Sequence, residues 1–437
     1  APAPHKSPRR KRDRRPLKAL QISDIHVDML YAEGAEAECD EPLCCRSASY
    51  QLDANGTRRS VQMPAGRWGT LSKCDIPYRT LEHALEHLST QHFDYIMWTG
   101  DLPAHDDWEQ TRPEALHLLQ NLTDLMLRHF PDTPVYPSLG NHESFPVNSF
   151  PPRYITEPDN SVSWLYDKLA EVWAPWLPEE AVETVRRYGY YTLLHRPGLR
   201  IVSLNMNYCN DLNFWTLVDA VDPDHHLRWL VDVLSEAERQ GERVHIIGHI
   251  PPAVVSADCV PVWRNNYYRV IERFADTVVA QFFGHTHTDE LELMFADDSR
   301  DRAFALGYVS PSLTTFIDLH PGYRVYDVAP GTWQIANHRT YIANLTKLEE
   351  SGASEPEWEL LYDARSAYGL PDLGVGSWLA LWHSWTRREP DADAARTFQR
   401  YYRNYYKGNP PAPGCDSRCR WSMTCPIAVG NFTVECA

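Results

Sequence analysis

No run of this chain approaches the about 20 consecutive apolar residues that a membrane-spanning helix requires, so the sequence reads as that of a soluble protein. A broad basic excess is missing too. Lys and Arg number 42 against 59 Asp and Glu, a formal net charge of -17. A nucleic-acid polymer, whose phosphates need neutralising along their length, is thereby excluded as the main partner, whereas a single phosphodiester at a metal site is not. No secretory leader opens the chain, which reads as a mature or trimmed form. Residues 1–16, APAPHKSPRRKRDRRP, have no apolar periodicity and are expected to be a disordered linker.

Cysteine is present in quantity. Ten cysteines, with Asn-x-Ser/Thr acceptors at Asn55, Asn121, Asn344 and Asn431, point to a secreted or lysosomal glycoprotein. Structural thiols in a cytosolic protein are the alternative. Cys39, Cys44, Cys45 and Cys74 lie in an insert with little hydrophobic pattern, where two disulfides would stand in for a core. A zinc knuckle is the sharper reading of the same residues, but adjacent Cys44 and Cys45 do not have its ligand spacing.

The chain is organised around Phe93 to His105, FDYIMWTGDLPAH. Tyr95 to Trp98 reads as a buried strand that ends at Gly100 and Asp101. The same arrangement recurs. LKALQIS runs into Asp24 and His26, VYPSLG into Asn141 and His142, VHIIG into His249, and VAQFFG into His285 and His287. Ligands of α/β proteins gather beyond the carboxyl ends of strands, so five apolar runs ending in metal-ligand residue types point to one place. A lone Gly-His or Asp-x-His is weak; five together describe a two-metal site with Asp101 as the shared carboxylate. Because the candidates run from Asp24 to His287, that whole stretch must fold as one unit.

Between these motifs, residues 79–90, 113–129, 224–240 and 265–275 read as helices, and YGYYTLLHRPGLRIVSLNMNY as a hairpin. His83 and His87 share a helix face, but no carboxylate motif follows and they read as surface or structural residues. LELMFA, RAFALGYVS and GYRVYDV read as strands that together form the second half of a sheet pair. From about residue 356, WELLYDARSAYG, GSWLALWHSW and DAARTFQRYYRNYYKG read as helical. The expected division is a linker at 1–16, a catalytic domain at 17–355 and a disulfide-stapled helical subdomain at 356–437.

These motifs, with CDEPLCCR, YPSLGNHESFPVNSFPP, SLNMNYCNDLNFW and TTFIDLHPGYRVY, resemble the acid-sphingomyelinase branch of the calcineurin-like metallophosphoesterases. The resemblance implies an α/β fold, a two-sheet sandwich flanked by helices. It implies two zinc ions, one held by Asp24, His26, Asp101 and His287, the other by Asp101, Asn141, His249 and His285. A metal-activated water would attack phosphorus, and either His105 or His142 would protonate the leaving group. Purple acid phosphatases place an iron-binding tyrosine three residues after the bridging aspartate. Ala104 stands there in this chain, which favours zinc. The implied substrate is sphingomyelin, cleaved to ceramide and phosphocholine by a monomer in transient contact with a membrane surface; nucleotides or other soluble phosphodiesters are the alternative. The implied disulfides are Cys39 to Cys44, Cys45 to Cys74, Cys209 to Cys259, Cys415 to Cys419 and Cys425 to Cys436. The family usually carries a saposin-like lipid-lifting domain ahead of the catalytic unit, and only the linker precedes the first strand here, which leaves the lipid's route to the site open.

Overall fold

Strand Leu17–Ile22 is apolar on both faces, with five of its six positions buried, as expected of a strand covered on both sides. It pairs in parallel with Tyr95–Trp98 and antiparallel with Gly322–Val328. The computed structural model describes residues 15–253, 259–296 and 300–430. Most of the expected linker, Asn431 and Cys436 lie outside the described residues.

The first sheet has the order Trp358–Asp363, Ile335–Ala343, Gly322–Val328, Leu17–Ile22, Tyr95–Trp98, Val135–Pro137. The second has the order Ala428–Gly430, Glu290–Phe295, Ala303–Val309, Val278–Phe283, Arg243–Ile247, Leu199–Ser203, Tyr191–Arg196. Inner-face side chains join the two. The Tyr95 hydroxyl lies 2.9 Å from His245 Nδ1, the Gln21 amide donates to the Phe283 carbonyl at 2.9 Å, and the Phe282 and Tyr326 rings are 4.9 Å apart. Alternation along the strands separates the cores. Ile201, Ile247 and Phe282 face the core between the sheets. Val202, Ile246 and Phe283 turn to the outer core, which includes apolar residues of helices His226–Gln240 and Pro261–Arg273. The expected sandwich flanked by helices is thus present.

Helix Arg112–His129 starts where Thr111 accepts from the Glu114 amide, with Pro113 in the first turn. Helix Tyr78–Ser89 carries His83 and His87, and both are occupied structurally. Trp358 Nε1 donates to His83 at 3.2 Å, and His87 Nε2 lies 3.0 Å from the Tyr323 hydroxyl. The cysteine-rich insert is closed by Cys39–Cys44 and Cys45–Cys74, the disulfide reading. Cys209–Cys259 and Cys415–Cys419 are also bonded as expected.

Two local expectations are corrected. WELLYD is not helical: Trp358–Asp363 is an edge strand paired antiparallel with Ile335–Ala343, and only Ala364–Tyr368 is helix. A partner strand accepts its backbone groups, which local pattern alone could not reveal. The strands after His287 do not build one sheet either. Glu290–Phe295 and Ala303–Val309 join the second, and Gly322–Val328 the first. The C-terminal segment contributes to both sheets, through Trp358–Asp363 and Ala428–Gly430.

One buried carboxylate in the second sheet, Glu292 on strand Glu290–Phe295, sets a pH dependence. Glu292 is 2% exposed, and neither of its oxygens has a hydrogen-bond partner among the described residues. Burial and then Glu290 push its pKa from 4.5 up to about 8, against partial relief from Arg264. Between those values the folded protein binds more protons than the unfolded chain, so this contribution to stability is full below the lower value and lost as pH rises to the upper. Buried His226, whose pKa burial lowers to about 3, works in the opposite sense, so variant and wild type must be compared at each pH. Glu292→Gln is expected to gain about 3 kcal/mol relative to wild type between pH 5 and pH 8. Urea denaturation at both values checks this, and an unchanged difference would contradict it.

Candidate metal centre

Three strands of the first sheet and two of the second end toward one place, and the residues just past those ends form the centre. Leu17–Ile22 leads to Asp24 and His26, Tyr95–Trp98 to Asp101, and Val135–Pro137 to Asn141. Arg243–Ile247 leads to His249, and Val278–Phe283 to His285 and His287. The loops are stitched across the sheets. The Asp24 amide donates to the Gly100 carbonyl at 3.0 Å and the His26 amide to the Asp101 carbonyl at 3.1 Å. The Gly284 amide donates to the His249 carbonyl at 2.8 Å.

The turns are sharp. Asp24, His26, Asp101, His285 and His287 have φ of 49°, 40°, 58°, 76° and 64°, a left-handed region that costs a side-chain-bearing residue free energy and persists where surrounding structure imposes it. A Cβ on Gly140 would collide with the Asp101 carboxylate, and one on Gly284 with Ser23 and Asp24. Glycine at these strand ends therefore lets the ligand-bearing loops close on one another.

The side chains converge. Asp101 Oδ2 lies 3.0 Å from His249 Nε2 and 3.4 Å from His26 Nε2. Asn141 Oδ1 is 3.0 Å from His249 Nε2 and 3.0 Å from His285 Nδ1. His287 Nε2 is 3.2 Å from His26 Nε2 and 3.8 Å from Asp24 Oδ1. The ligand atoms of Asp101, His249 and His285 lie within 4.8 Å of one another, as do those of Asp24, His26 and Asp101. All seven residues implied as ligands are thus brought together around Asp101.

The donor set fits divalent cations. His26 Nδ1 faces the Pro103 carbonyl at 2.7 Å, and His249 Nδ1 the Thr99 carbonyl at 2.6 Å. Donation there leaves each Nε2 lone pair directed inward, the arrangement in which a backbone acceptor fixes the tautomer of a metal-binding histidine. Asp24 Oδ2 is buried without a hydrogen-bond partner among the described residues. Two imidazole nitrogens at 3.2 Å beside two buried carboxylates need positive charge between them. Where only protons supply it, burial, which alone would lower the histidines, is overcome by Asp101. His26 is then raised to about 9 and His249 to about 10. Burial works against the Asp101 charge, but His249 and His142 hold the carboxyl well below its usual range.

The two further histidines sit at the same opening. His105 is held between the His26 ring at 3.9 Å and the Phe316 ring at 4.1 Å. Its Nδ1 lies 2.9 Å from Asp75 Oδ1, and its amide donates to Asp75 Oδ2 at 2.8 Å. Thr314 donates to the same carboxylate at 2.8 Å. Burial lowers the His105 pKa, with Asp75 working in the other direction. His142 donates its amide to Asp101 Oδ1 at 3.0 Å, and its Nδ1 lies 3.2 Å from Asp107 Oδ1. Each histidine is therefore backed by a carboxylate, Asp75 wholly buried and Asp107 half exposed.

Sequence reasoning missed Asp75, Asp107 and Lys407. Asp107 lies in the acidic pair after His105, a signal that could have found it. Asp75 stands alone beside Cys74, and nothing local ties it to a residue 30 positions away. Lys407, fully buried, donates to the Ser312 carbonyl at 2.9 Å. That loop gives the Leu313 and Thr314 amides to the Asp24 carbonyl at 3.2 and 3.0 Å, so a C-terminal side chain braces the Asp24 turn.

Comparison with known proteins gives the following. Residues 17–289 match the family model of calcineurin-like phosphoesterases, and residues 306–433 that of the acid sphingomyelin phosphodiesterase C-terminal region. A sphingomyelin phosphodiesterase of Homo sapiens is 45% identical over 93% of this chain and 62% of its own length. One of Bos taurus is 44% identical over 93% of this chain and 63% of its own. The chain thus spans less than two thirds of the length of these relatives. A cyclic GMP-AMP phosphodiesterase of Rattus norvegicus is 30% identical over 93% of this chain and 88% of its own length. The fold family implies a dimetal centre, and the Asp, Asn and His cluster provides the ligand types for one.

Proposed function

Since the chain belongs to the calcineurin-like phosphoesterase family, we propose that it is a zinc-dependent phosphodiesterase hydrolysing sphingomyelin to ceramide and phosphocholine. The observation that carries the reading is the convergence of seven ligand-type residues beneath two carboxylate-backed histidines. Asp24, His26, Asp101 and His287 would hold one zinc, and Asp101, Asn141, His249 and His285 the other. An all N/O set suits zinc, and Ala104 occupies the position where a ferric site would need tyrosine. Bound metal supplies Lewis-acid stabilisation of the phosphoryl oxygens and makes a water nucleophilic near neutral pH.

The remaining work falls to side chains. Water adds to phosphorus, the bond to the ceramide oxygen breaks, and that oxygen takes a proton from His105 or His142. Asp75, accepting from Nδ1 of His105, would fix its tautomer and point Nε2 into the opening. Asp107 lies 3.2 Å from Nδ1 of His142, close enough to orient that ring. Asp75→Asn is expected to lower turnover by about 10- to 100-fold with metal content unchanged. Assays of the purified variant alongside metal analysis check this, and full turnover would contradict it.

The lipid reading is supported by a surface next to the centre. Phe214 and Leu217 are 78% and 86% exposed, in a segment whose Asn207 amide donates to the Gly140 carbonyl at 3.0 Å. Trp215 Nε1 in the same segment donates to Ser149 at 3.2 Å. Exposed aromatic and aliphatic side chains beside the reaction site suit transient contact with a lipid surface. The protein would act as a monomer, secreted or lysosomal, consistent with its disulfides and glycosylation acceptors.

A second reading, hydrolysis of nucleotides or other soluble phosphodiesters, is favoured by the likeness to the rat cyclic GMP-AMP phosphodiesterase along most of that protein's length. Phosphocholine release from sphingomyelin at pH 5 and pH 7, with and without detergent, decides between them. Release that is stimulated by detergent supports the lipid reading. Nucleotide hydrolysis with no phosphocholine release overturns it.

A further inference from the structure

We propose that a cavity of about 790 Å³ beside the metal centre receives one hydrocarbon chain of the lipid substrate, an inference that rests on the sphingomyelin reading. The loops that hold two centre residues also form its walls. Val27 and Asp28 directly follow His26, Pro103 and Ala104 directly precede His105, and Asp106 directly follows it. The opposite wall is helix Arg112–His129, through Pro113, Ala115 and Leu118. A chain attached to a phosphodiester at the centre would meet this cavity beside it, and the volume lies within the roughly 300–1,000 Å³ of ordinary ligand pockets.

The charges in the walls select against other occupants. Arg46 is 8% exposed. Its guanidinium donates to Asp28 at 2.8 and 3.0 Å and to Asp106 at 2.8 Å, and Glu109 lies 3.6 Å away. Three carboxylates therefore meet its charge, which leaves no cation to capture a phosphate or a fatty-acid carboxylate. A quaternary ammonium would want an open carboxylate or an aromatic cage. Asp28 and Asp106 are committed to Arg46, and the walls contain no Phe, Tyr or Trp; Glu114 also lines the cavity, its carboxylate accepting from the Thr111 hydroxyl at 2.7 Å. Met29 and Leu30 stand at the rim 57% and 59% exposed, apolar surface that a chain entering the cavity would cover. Each methylene it buries there would raise affinity roughly fourfold.

The test compares wild type with Ala115→Trp, which places a larger side chain in the cavity from helix Arg112–His129, and with Leu30→Asp at the exposed rim. Sphingomyelins shortened in either chain are assayed in mixed micelles, and binding of a fluorescent ceramide is titrated separately. Turnover of bis(p-nitrophenyl) phosphate and thermal denaturation report folding. Wild-type kcat/KM is expected to rise with the length of one chain, and Ala115→Trp to flatten that dependence, lowering the long-chain value and ceramide affinity at least tenfold. If Ala115→Trp does not fold, Leu30→Asp carries the comparison with the same expected direction. Chain-length dependence and ceramide binding that match wild type in the folded variant would overturn the pocket. Wild-type hydrolysis that is indifferent to both chain lengths would also overturn it, while the sphingomyelin reading stands. Ceramide binding lost in Ala115→Trp, from a wild type that cleaves no sphingomyelin, would support the pocket and sink the substrate assignment instead.

Discussion

Asp101→Ala is expected to lose bound metal and phosphodiesterase activity together, with turnover falling by at least about 10³-fold. Asp101 faces His26 and His249 with one carboxylate oxygen at 3.4 and 3.0 Å and holds the His142 amide with the other. Asp24 Oδ1 also approaches both sets, 3.8 Å from His287 and 3.9 Å from His249, but Asp101 makes the closer contacts with imidazole nitrogens. Removing its carboxylate leaves two clusters of buried imidazoles without the charge that joins them. Metal analysis and a soluble-diester assay on the same preparation check the prediction. A variant that keeps its metal and its activity would show that the shared carboxylate lies elsewhere.

His105→Ala and His142→Ala are expected to separate what Asp101→Ala couples. Neither imidazole is needed to complete the ligand sets, so metal should remain while turnover falls by about 10²- to 10⁴-fold in the variant that lacks the proton donor. The structure gives both histidines a carboxylate partner, but only His105 is clamped between two rings and tied to a fully buried aspartate. That fixed orientation leads us to propose His105 as the acid and His142 as a substrate contact. A substrate with a nitrophenolate leaving group, which departs without a proton, should recover much of the lost rate in the acid's variant alone. Equal metal loss in Asp101→Ala, His105→Ala and His142→Ala would contradict this division of roles.

The convergence was legible because each centre residue directly follows an apolar run, and a buried strand announces its own end through Gly100, Gly140, Gly248 or Gly284. Side chains that support the centre carry no such marker. Asp75 and Lys407 reach it through bonds made 30 and 95 residues away in sequence, and only the assembled fold relates those positions. The strand Trp358–Asp363 was misread for a similar reason, since its alternation is short and its partner, Ile335–Ala343, supplies the stabilising ladder. Assignment of strands to two sheets also depends on distant pairings. Leu17–Ile22 lies between Tyr95–Trp98 and Gly322–Val328, which no local periodicity encodes. The cysteine insert was readable because adjacent Cys44 and Cys45 make a poor zinc site, and both form disulfides.

Metal stoichiometry of the purified, active protein tests the central claim most directly. Inductively coupled plasma mass spectrometry should find about two zinc ions per chain, removed by a chelator together with activity and restored together by added zinc. Full phosphodiesterase activity from protein holding less than about a tenth of a metal ion per chain would contradict a dimetal mechanism at these residues.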